Sequence, residues 1–348
     1  MRLLYRADGG HPIGTGHLFR AVRILRALRD RAPVEAALVF TADSGARSIP
    51  RQAPARLIEL PRRLDPSSIK PRFDFDSVRG ILAAQDFDLA VVDMLDTDAA
   101  EMAALAARLP VVTLDDRGDG RRHASAIVNI LITEPDPGSL PPGLLLREGG
   151  AYAVLAPEIS AAHRAWREPA DVPGTRLFVT LGGADAAGLT VKVARALGAS
   201  RHARMVEFGV GPAFPHRAEL ERALEQAPWE SRVHARLPSL LERFLACDAA
   251  VVAGGLTMWE VCCLGVPAVA VCQPIDHQLE LAERLAAAGA MATVGFGPEA
   301  SDERIVEAVD RLLEDDALRR RLSAQGPRLV DGMGARRVAD LLIQTASA

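Results

Sequence analysis

Short apolar runs that break off at a glycine or polar turn and pass into helical periodicity recur along this chain, and that alternation restricts its fold more than any other feature. In the first half the runs are Leu3–Arg6, Ala37–Thr41, Arg56–Leu60, Leu89–Asp93, Val111–Leu114 and Ala126–Asn129. Helical patterns begin between them near His17, Asp74 and Thr97. The runs are solidly apolar rather than alternating, which predicts strands covered on both faces, as in a parallel sheet. The polar, proline-bearing stretch 164–174 reads as a linker. Beyond it the pattern restarts. Strands are expected at Leu177–Leu181, Met205–Phe208, Ala249–Ala253 and Ala268–Cys272, with helices at Ala187–Leu197, Pro215–Gln226, Leu237–Ala246 and Thr257–Leu264. Helices at Gln278–Ala288, Ser301–Glu314 and Gly334–Thr345 complete the pattern. The expected class is α/β, with two Rossmann-like, doubly wound domains at 1–165 and 175–348. A ligand is expected in the cleft between their strand C-termini.

At 348 residues the chain is long enough for two such domains. A net charge of −4 argues against nucleic acid as a partner, since a phosphate-backbone binder carries a basic surplus. Arg20, Arg23, Arg26, Arg29 and Arg31 read as the solvated face of one helix, their stems covering apolar surface. No run of 18 apolar residues predicts a membrane span, and no secretory leader is visible at the first residues. Cys247, Cys262, Cys263 and Cys272 sit in apolar segments without Cys-x-x-Cys spacing, so buried thiols in a reducing cytoplasm are expected, with no structural metal. The oligomeric state leaves no signature in the sequence.

Four turns carry the chemistry. Arg6-Ala-Asp-Gly-Gly-His-Pro-Ile-Gly-Thr-Gly-His17-Leu-Phe-Arg20 joins the first strand to the first helix. Gly14 and Gly16 leave room for a ligand, and His17 falls in the first helical turn, where amide N–H groups and the dipole favour an anion. An imidazole there can move protons near neutral pH. Asp8, at the end of the first strand, either contacts substrate or bonds within the loop, and Asp115 after the fifth strand is a second candidate contact. His11 reads as an exposed loop residue. Asp93, Asp96 and Asp98 read as a strand end and as caps of the helix near Thr97.

In the second half, Gly182-Gly183, Gly209-Val-Gly211 and Gly254-Gly255 each follow a strand, where missing Cβ atoms let backbone amides approach a phosphate. Thr257 and Glu260 have the spacing of a capping box. Glu260 either caps its own helix or accepts hydrogen bonds from ribose hydroxyls. Trp259 reads as packing.

Taken together, Ile13-Gly-Thr-Gly-His17, Leu181-Gly-Gly-Ala-Asp185, Gly209-Val-Gly-Pro212, Gly254-Gly-Leu-Thr-Met-Trp-Glu260-Val-Cys-Cys-Leu-Gly-Val-Pro267 and Asp331-Gly-Met-Gly334-Ala-Arg-Arg337-Val resemble the UDP-sugar hydrolases of pseudaminic acid biosynthesis. That family has the GT-B fold and is related to the glycosyltransferase that makes the lipid-linked disaccharide of peptidoglycan. The resemblance implies that His17 activates water at the anomeric carbon, with Gly14, Thr15 and Gly16 beside the sugar and diphosphate. It implies that Gly254, Gly255, Leu256 and Thr257 hold the pyrophosphate, Glu260 the ribose, Gly182 and Gly183 the same cleft, Leu237 the uracil and Gln278 the sugar. The implied ligand is a UDP-sugar, cleaved to UDP and a free deoxy-amino sugar without metal or cofactor. The chain departs from the family pattern at Met94-Leu95, Ile130 and Ala156, mostly in the half that holds the sugar or acceptor. Transfer of the sugar to an acceptor other than water is therefore the alternative expectation.

Overall fold

The computed structural model describes residues 1–10, 14–43, 46–61, 73–167, 174–183, 185–211, 214–235 and 237–347. By contacts the chain divides into two compact units, Met1–Ala156 with Met333–Ala348, and Pro157–Gly332.

The first unit carries β1 (Arg2–Gly9), α1 (Gly16–Arg29), β2 (Glu35–Ala42), β3 (Arg56–Glu59), α2 (Asp76–Ala84), β4 (Leu89–Asp93), α3 (Ala99–Ala106), β5 (Val111–Leu114), β6 (Ala126–Asn129) and β7 (Leu145–Glu148). Its strands form one parallel sheet in the order β3-β2-β1-β4-β5-β6-β7. Leu4, Val39 and Val92 pack with Met102 and Leu105 of α3 and with Val78 of α2. α1 buries Leu18, Ile24 and Leu25 on the other face, as right-handed crossovers running in opposite directions require. Strand order turns back between β1 and β4. In open α/β sheets this turning point, at the C-terminal ends of the two strands, is where ligands bind.

The second unit repeats the scheme with α4 (Pro157–Ala161), β8 (Arg176–Thr180), α5 (Leu189–Ala196), β9 (Met205–Val210), α6 (Arg217–Glu225), β10 (Glu230–Ala235), α7 (Leu241–Ala246) and β11 (Ala249–Val252). It continues through α8 (Leu256–Leu264), β12 (Ala268–Cys272), α9 (Asp276–Ala287), β13 (Ala292–Phe296), α10 (Asp302–Glu314) and α11 (Asp316–Leu329). Its parallel sheet runs β10-β9-β8-β11-β12-β13 and turns back between β8 and β11.

The last helix, α12 (Gly334–Ala346), belongs with the first unit, whereas the sequence pattern carries the second domain through residue 348. Gly334 lies so close to the chain at Ala153 that a Cβ would sit 2.2 Å from its carbonyl oxygen. Arg337 donates to the Ala151 carbonyl at 2.8 Å, and Asp340 pairs with Arg31, just past the end of α1. The other boundary also moves. Arg164 N donates to the Cys263 carbonyl at 3.0 Å and the Trp166 indole to that of Cys247 at 2.9 Å, so the chain from Pro157 is already fastened to the second unit.

The three strands that the sequence pattern does not announce, β7, β10 and β13, are all sheet edges. Covered on one side by a single neighbour, they carry sequences such as Glu-Ser-Arg-Val-His-Ala instead of an apolar run. α11 is equally unannounced, its pattern masked by three consecutive arginines and Pro327. Among the described residues no helix is long and apolar enough to cross a membrane.

Candidate functional site

In the first unit the chemistry gathers at the point where strand order turns back. Gly10 and Gly14 exchange two backbone hydrogen bonds of 2.8 Å, so the loop leaving β1 closes on itself and delivers the chain into α1. Gly14 has φ +81°, a conformation that favours glycine. Thr15 stands at the N-cap, half-buried and without a side-chain cap bond, and Gly16 opens the helix, exposed. Residues 11–13 of this motif, His11 included, lie outside the described residues.

His17 follows, its side chain 12% exposed, with Nδ1 2.6 Å from Asp93 Oδ1. Asp93 ends β4, opposite Ala7 of β1, and is completely buried. Four donors surround its carboxylate. Oδ1 takes His17 Nδ1 and Arg20 Nη2, while Oδ2 takes Arg20 Nε and the Tyr5 hydroxyl, both at 2.9 Å. Burial pushes this carboxyl up, but the Arg20 guanidinium and His17 outweigh it and hold it at about 2. Burial and the Asp93 charge together push the Tyr5 phenol well above its usual value. Despite its own burial, Arg20 is held more firmly protonated than usual by Asp93 and Asp115.

An ionised carboxylate against Nδ1 assigns the ring proton to that nitrogen and leaves the lone pair on Nε2. Arg20 Nη2 also lies 3.2 Å from Nδ1; both being donors, they meet through the Asp93 oxygen they share. A carboxylate-oriented imidazole beside a helix N-terminus is equipped to take a proton from a hydroxyl or water.

Two candidates take other parts. Asp115, expected to touch substrate, is fully buried with φ +52°. Its Oδ1 accepts from the amides of Ile130 and Leu131 at 2.6 and 2.8 Å, and Oδ2 from Arg20 Nη1. Both oxygens are engaged behind Arg20, so a small molecule has no access to them. Asp8 is also buried, paired with Arg6 of its own strand and accepting from the amide and hydroxyl of Thr41 on β2 at 2.8 and 2.6 Å, so it ties two strands together rather than bonding within the loop. Arg20 corrects the solvated-face reading of the α1 arginines, being 2% exposed. Asp98 is the N-cap of α3, accepting from Ala100 and Glu101.

The second unit assembles its candidates differently, from backbone. After β8, Gly182 has φ +102°, and Gly182 and Gly183 are both exposed. The loop after β9 packs so tightly on them that a Cβ on Gly211 would lie 2.2 Å from the Gly183 carbonyl oxygen. Asp185 anchors the turn, accepting from Leu189 and Thr190 amides at 2.9 and 2.7 Å and from Gln273 Nε2 at 2.7 Å. After β11, Gly255 (φ +91°) is the N-cap of α8, earlier in the chain than a Thr257 cap requires. Thr257 therefore lies inside the helix and makes no cap bond, and Glu260 falls in the second turn, too far along for a capping box. Glu260 is buried to 9% exposure. Leu256 and Thr257, half-buried, begin a helix whose first amides are left without helical partners.

Gln278 holds this corner in place, its Oε1 accepting from the Gly254 amide at 3.1 Å. Leu237, half-buried, follows the C-terminal end of β10, and α7 starts only at Leu241 because Pro238 interrupts the approach. His234, to which the sequence assigns no role, has Nε2 2.6 Å from Glu207 Oε2, an oxygen shared with Arg243 at 3.1 Å. Among the described residues no group of three or more His, Cys, Asp or Glu could hold a metal ion. All four cysteines are free and buried, and burial pushes their thiols up, to about 12 for Cys262, Cys263 and Cys272.

Asp93 and Arg20 are the functional residues that sequence reasoning misses. A signal for Arg20 exists, since it shares a helical stripe with His17, Ile24 and Leu28, two of them core residues.

No protein-family model matches the chain. It is 25% identical over 343 residues to the spore coat polysaccharide biosynthesis protein SpsG of Bacillus subtilis (strain 168), covering 97% of this chain and 96% of SpsG. Among solved structures, MurG of Acinetobacter baumannii aligns over 99% of both chains with a TM-score of 0.71 and 16% identity. The calicheamicin glycosyltransferase CalG4 aligns over 100% of this chain and 98% of its own, with a TM-score of 0.64 and 17% identity. At such identities the likeness is one of architecture: two parallel, doubly wound sheets with alternating helices give this chain the GT-B fold.

Proposed function

We propose that the chain is a UDP-sugar-dependent glycosyltransferase of surface-polysaccharide biosynthesis, with His17 as the base that activates the acceptor hydroxyl. The observation that carries this reading is the 2.6 Å contact of His17 Nδ1 with the buried Asp93 carboxylate, which frees Nε2 to accept a proton. The acceptor oxygen forms a bond to the anomeric carbon as the bond from that carbon to the β-phosphate oxygen breaks. The bonding pair leaves with UDP, the hydroxyl proton passes to Nε2, and the anomeric centre inverts. The Gly254–Thr257 corner would hold the pyrophosphate, Gly182 and Gly183 would approach it, Glu260 would take the ribose and Leu237 the uracil. Gln278 would keep the corner in place and reach toward the sugar. Gly14, Thr15 and Gly16 would flank the sugar. Amides at the α8 start stabilise the charge growing on the β-phosphate by about 3–4 kcal/mol per aligned donor. Proton acceptance by His17 adds about 10²–10⁴-fold.

SpsG, a polysaccharide biosynthesis protein by name, and the glycosyltransferase CalG4 support transfer. Water as the acceptor is the second reading, favoured by the five motifs that resemble the UDP-sugar hydrolases of pseudaminic acid biosynthesis. One experiment separates them. The purified chain is incubated with a panel of UDP-sugars, and free UDP is measured first without and then with carbohydrate and polyol acceptors. Release that requires an acceptor supports transfer; equal release in water alone supports hydrolysis. In either case His17→Ala abolishes release while UDP still binds. Tight UDP binding with no release under any condition overturns both.

A further inference from the structure

Behind His17 lies a chain of ionic contacts longer than a His–Asp pair needs. Asp115 is fixed by two backbone amides after β6, at 2.6 and 2.8 Å, and grips Arg20 Nη1. Arg20 turns its remaining fork, Nε and Nη2, onto both oxygens of Asp93, and Asp93 holds His17 Nδ1. Arg20, Asp93 and Asp115 are 2%, 0% and 0% exposed, so water does not dilute these contacts.

The charges do not cancel. Two carboxylates and one guanidinium leave a single buried negative charge beside a neutral His17, and an imidazolium would neutralise it. With Asp93 and Arg20 alone the pair would already be neutral, and the pull of a proton onto the ring would be weaker. Asp115 restores the imbalance without touching His17.

We infer that Arg20 and Asp115 are positioning residues for the His17 base: Arg20 fixes the Asp93 carboxylate and hence the ring tautomer, and Asp115 keeps the cluster one charge negative so that an imidazolium is stabilised. Other charged groups on neighbouring elements point elsewhere. On α12, Arg337 donates to the Ala151 carbonyl, and Asp340 pairs with Arg31 at the far end of α1. Arg51, on the turn packed against α1, is exposed. From β1 the Tyr5 hydroxyl donates to Asp93, while Arg6 and Asp8 pair with each other.

The inference rests on His17 as the proton acceptor, but its test needs no substrate. In ¹H–¹³C spectra of the full chain, the His17 ring signal is assigned by its loss in His17→Gln and followed against pH. Asp115→Asn, which keeps shape and removes charge, is expected to move the titration midpoint to lower pH. Asp115→Glu restores the native midpoint. Arg20→Lys keeps the charge and loses the fork, and ring ¹⁵N shifts then report a mixture of Nδ1–H and Nε2–H tautomers in place of Nδ1–H alone. A folded Asp115→Asn chain that titrates as the native one overturns the charge role. Should that variant not fold, an unchanged tautomer in Arg20→Lys overturns the positioning role. Failure of UDP release from UDP-sugars would count against the proposed reaction and leave these readouts standing.

Discussion

The two turning points in strand order, β1/β4 in the first unit and β8/β11 in the second, are the same piece of topology built from opposite materials. The first is lined with titratable and charged side chains locked to one another: the His17 imidazole against Asp93, with Arg20 and Asp115 behind it. The second is lined with backbone, where Gly182, Gly183, Gly254 and Gly255 remove side chains and their neighbours Asp185 and Gln278 brace the turns. Charged side chains are suited to moving protons, and backbone amides to holding anions. The fold supplies the place twice, and the residues at each place decide what it does.

The sharpest way to break that contrast is to neutralise the charge while leaving the amides alone. Asp93→Asn offers Nδ1 an amide that can bind either tautomer, and it leaves Arg20 facing a neutral partner. Turnover of UDP-sugar is expected to fall about 10³–10⁴-fold, by analogy with other carboxylate-oriented imidazoles. UDP affinity, read by calorimetry, stays within about twofold. A parallel loss of UDP affinity would mean that Asp93 organises more than His17.

The converse experiment blocks the amides and spares the charge. In Gly254→Ala the new Cβ would fall 2.2 Å from the Gln278 side chain, which must move and give up its bond to the Gly254 amide. Overpacking of this kind costs about 1–3 kcal/mol, expected here as weakened UDP binding. Adding Gln278→Gly removes the clashing Cβ, Cγ and Cδ and recovers part of the loss. A Gly254→Ala chain that binds UDP normally would remove this corner from the nucleotide site. Glu260→Gln comes next. With α8 beginning at Leu256, Glu260 is outside the capping position, so unfolding by urea should change little. UDP should bind about 1–2 kcal/mol more weakly, because hydrogen bonds to a charged group are lost. Loss of stability with unchanged affinity would make Glu260 a helix residue only.

The same contrast explains which parts of the molecule are legible in the amino-acid sequence. Glycine turns announce themselves locally, because the residue that permits the turn is the residue that forms it; Gly182, Gly254 and Gly255 are visible for that reason. His17 is visible through its place at a strand–loop–helix junction. Asp93 and Arg20 are not, since Arg20 and Asp93 meet across 73 positions and His17 and Asp93 across 76, in a register that exists only once β1 lies beside β4. Interior strands show as apolar runs, whereas β7, β10 and β13, being edges, lack the burial that writes such runs. The return of α12 to α1 is equally silent, because it depends on a close approach at Gly334 and on Arg337 reaching a carbonyl.

The smallest effect concerns two buried carboxylates at neighbouring strand ends that titrate in opposite directions. Asp93 is held at about 2 by Arg20 and His17 against the pull of burial. Asp116, one residue past Asp115, is pushed up to about 6, chiefly by burial. The Thr97 hydroxyl and the Gly118 amide at 2.8 Å only partly compensate, because Arg121 directs its fork to Glu134 at 2.8 and 3.0 Å. For Asp93 the folded chain releases its proton more readily than the unfolded one, so its contribution to stability is present above about pH 4 and lost as pH falls through about 2. For Asp116 the folded chain holds its proton more tightly, so stability falls as pH rises from the ordinary value of 3.8 through about 6 and stays lower above it. Two pH units correspond to about 3 kcal/mol, offset by about 1–2 kcal/mol when weaker amide bonds replace those of a carboxylate. Asp116→Asn is therefore expected to stabilise the chain by about 1 kcal/mol at pH 8 in urea unfolding, with the gain vanishing near about pH 5 and turning into a loss of about 1 kcal/mol near pH 4. A difference that is the same at both pH values would show that Asp116 is already neutralised by a partner, and the asymmetry between the two strand ends would disappear with it.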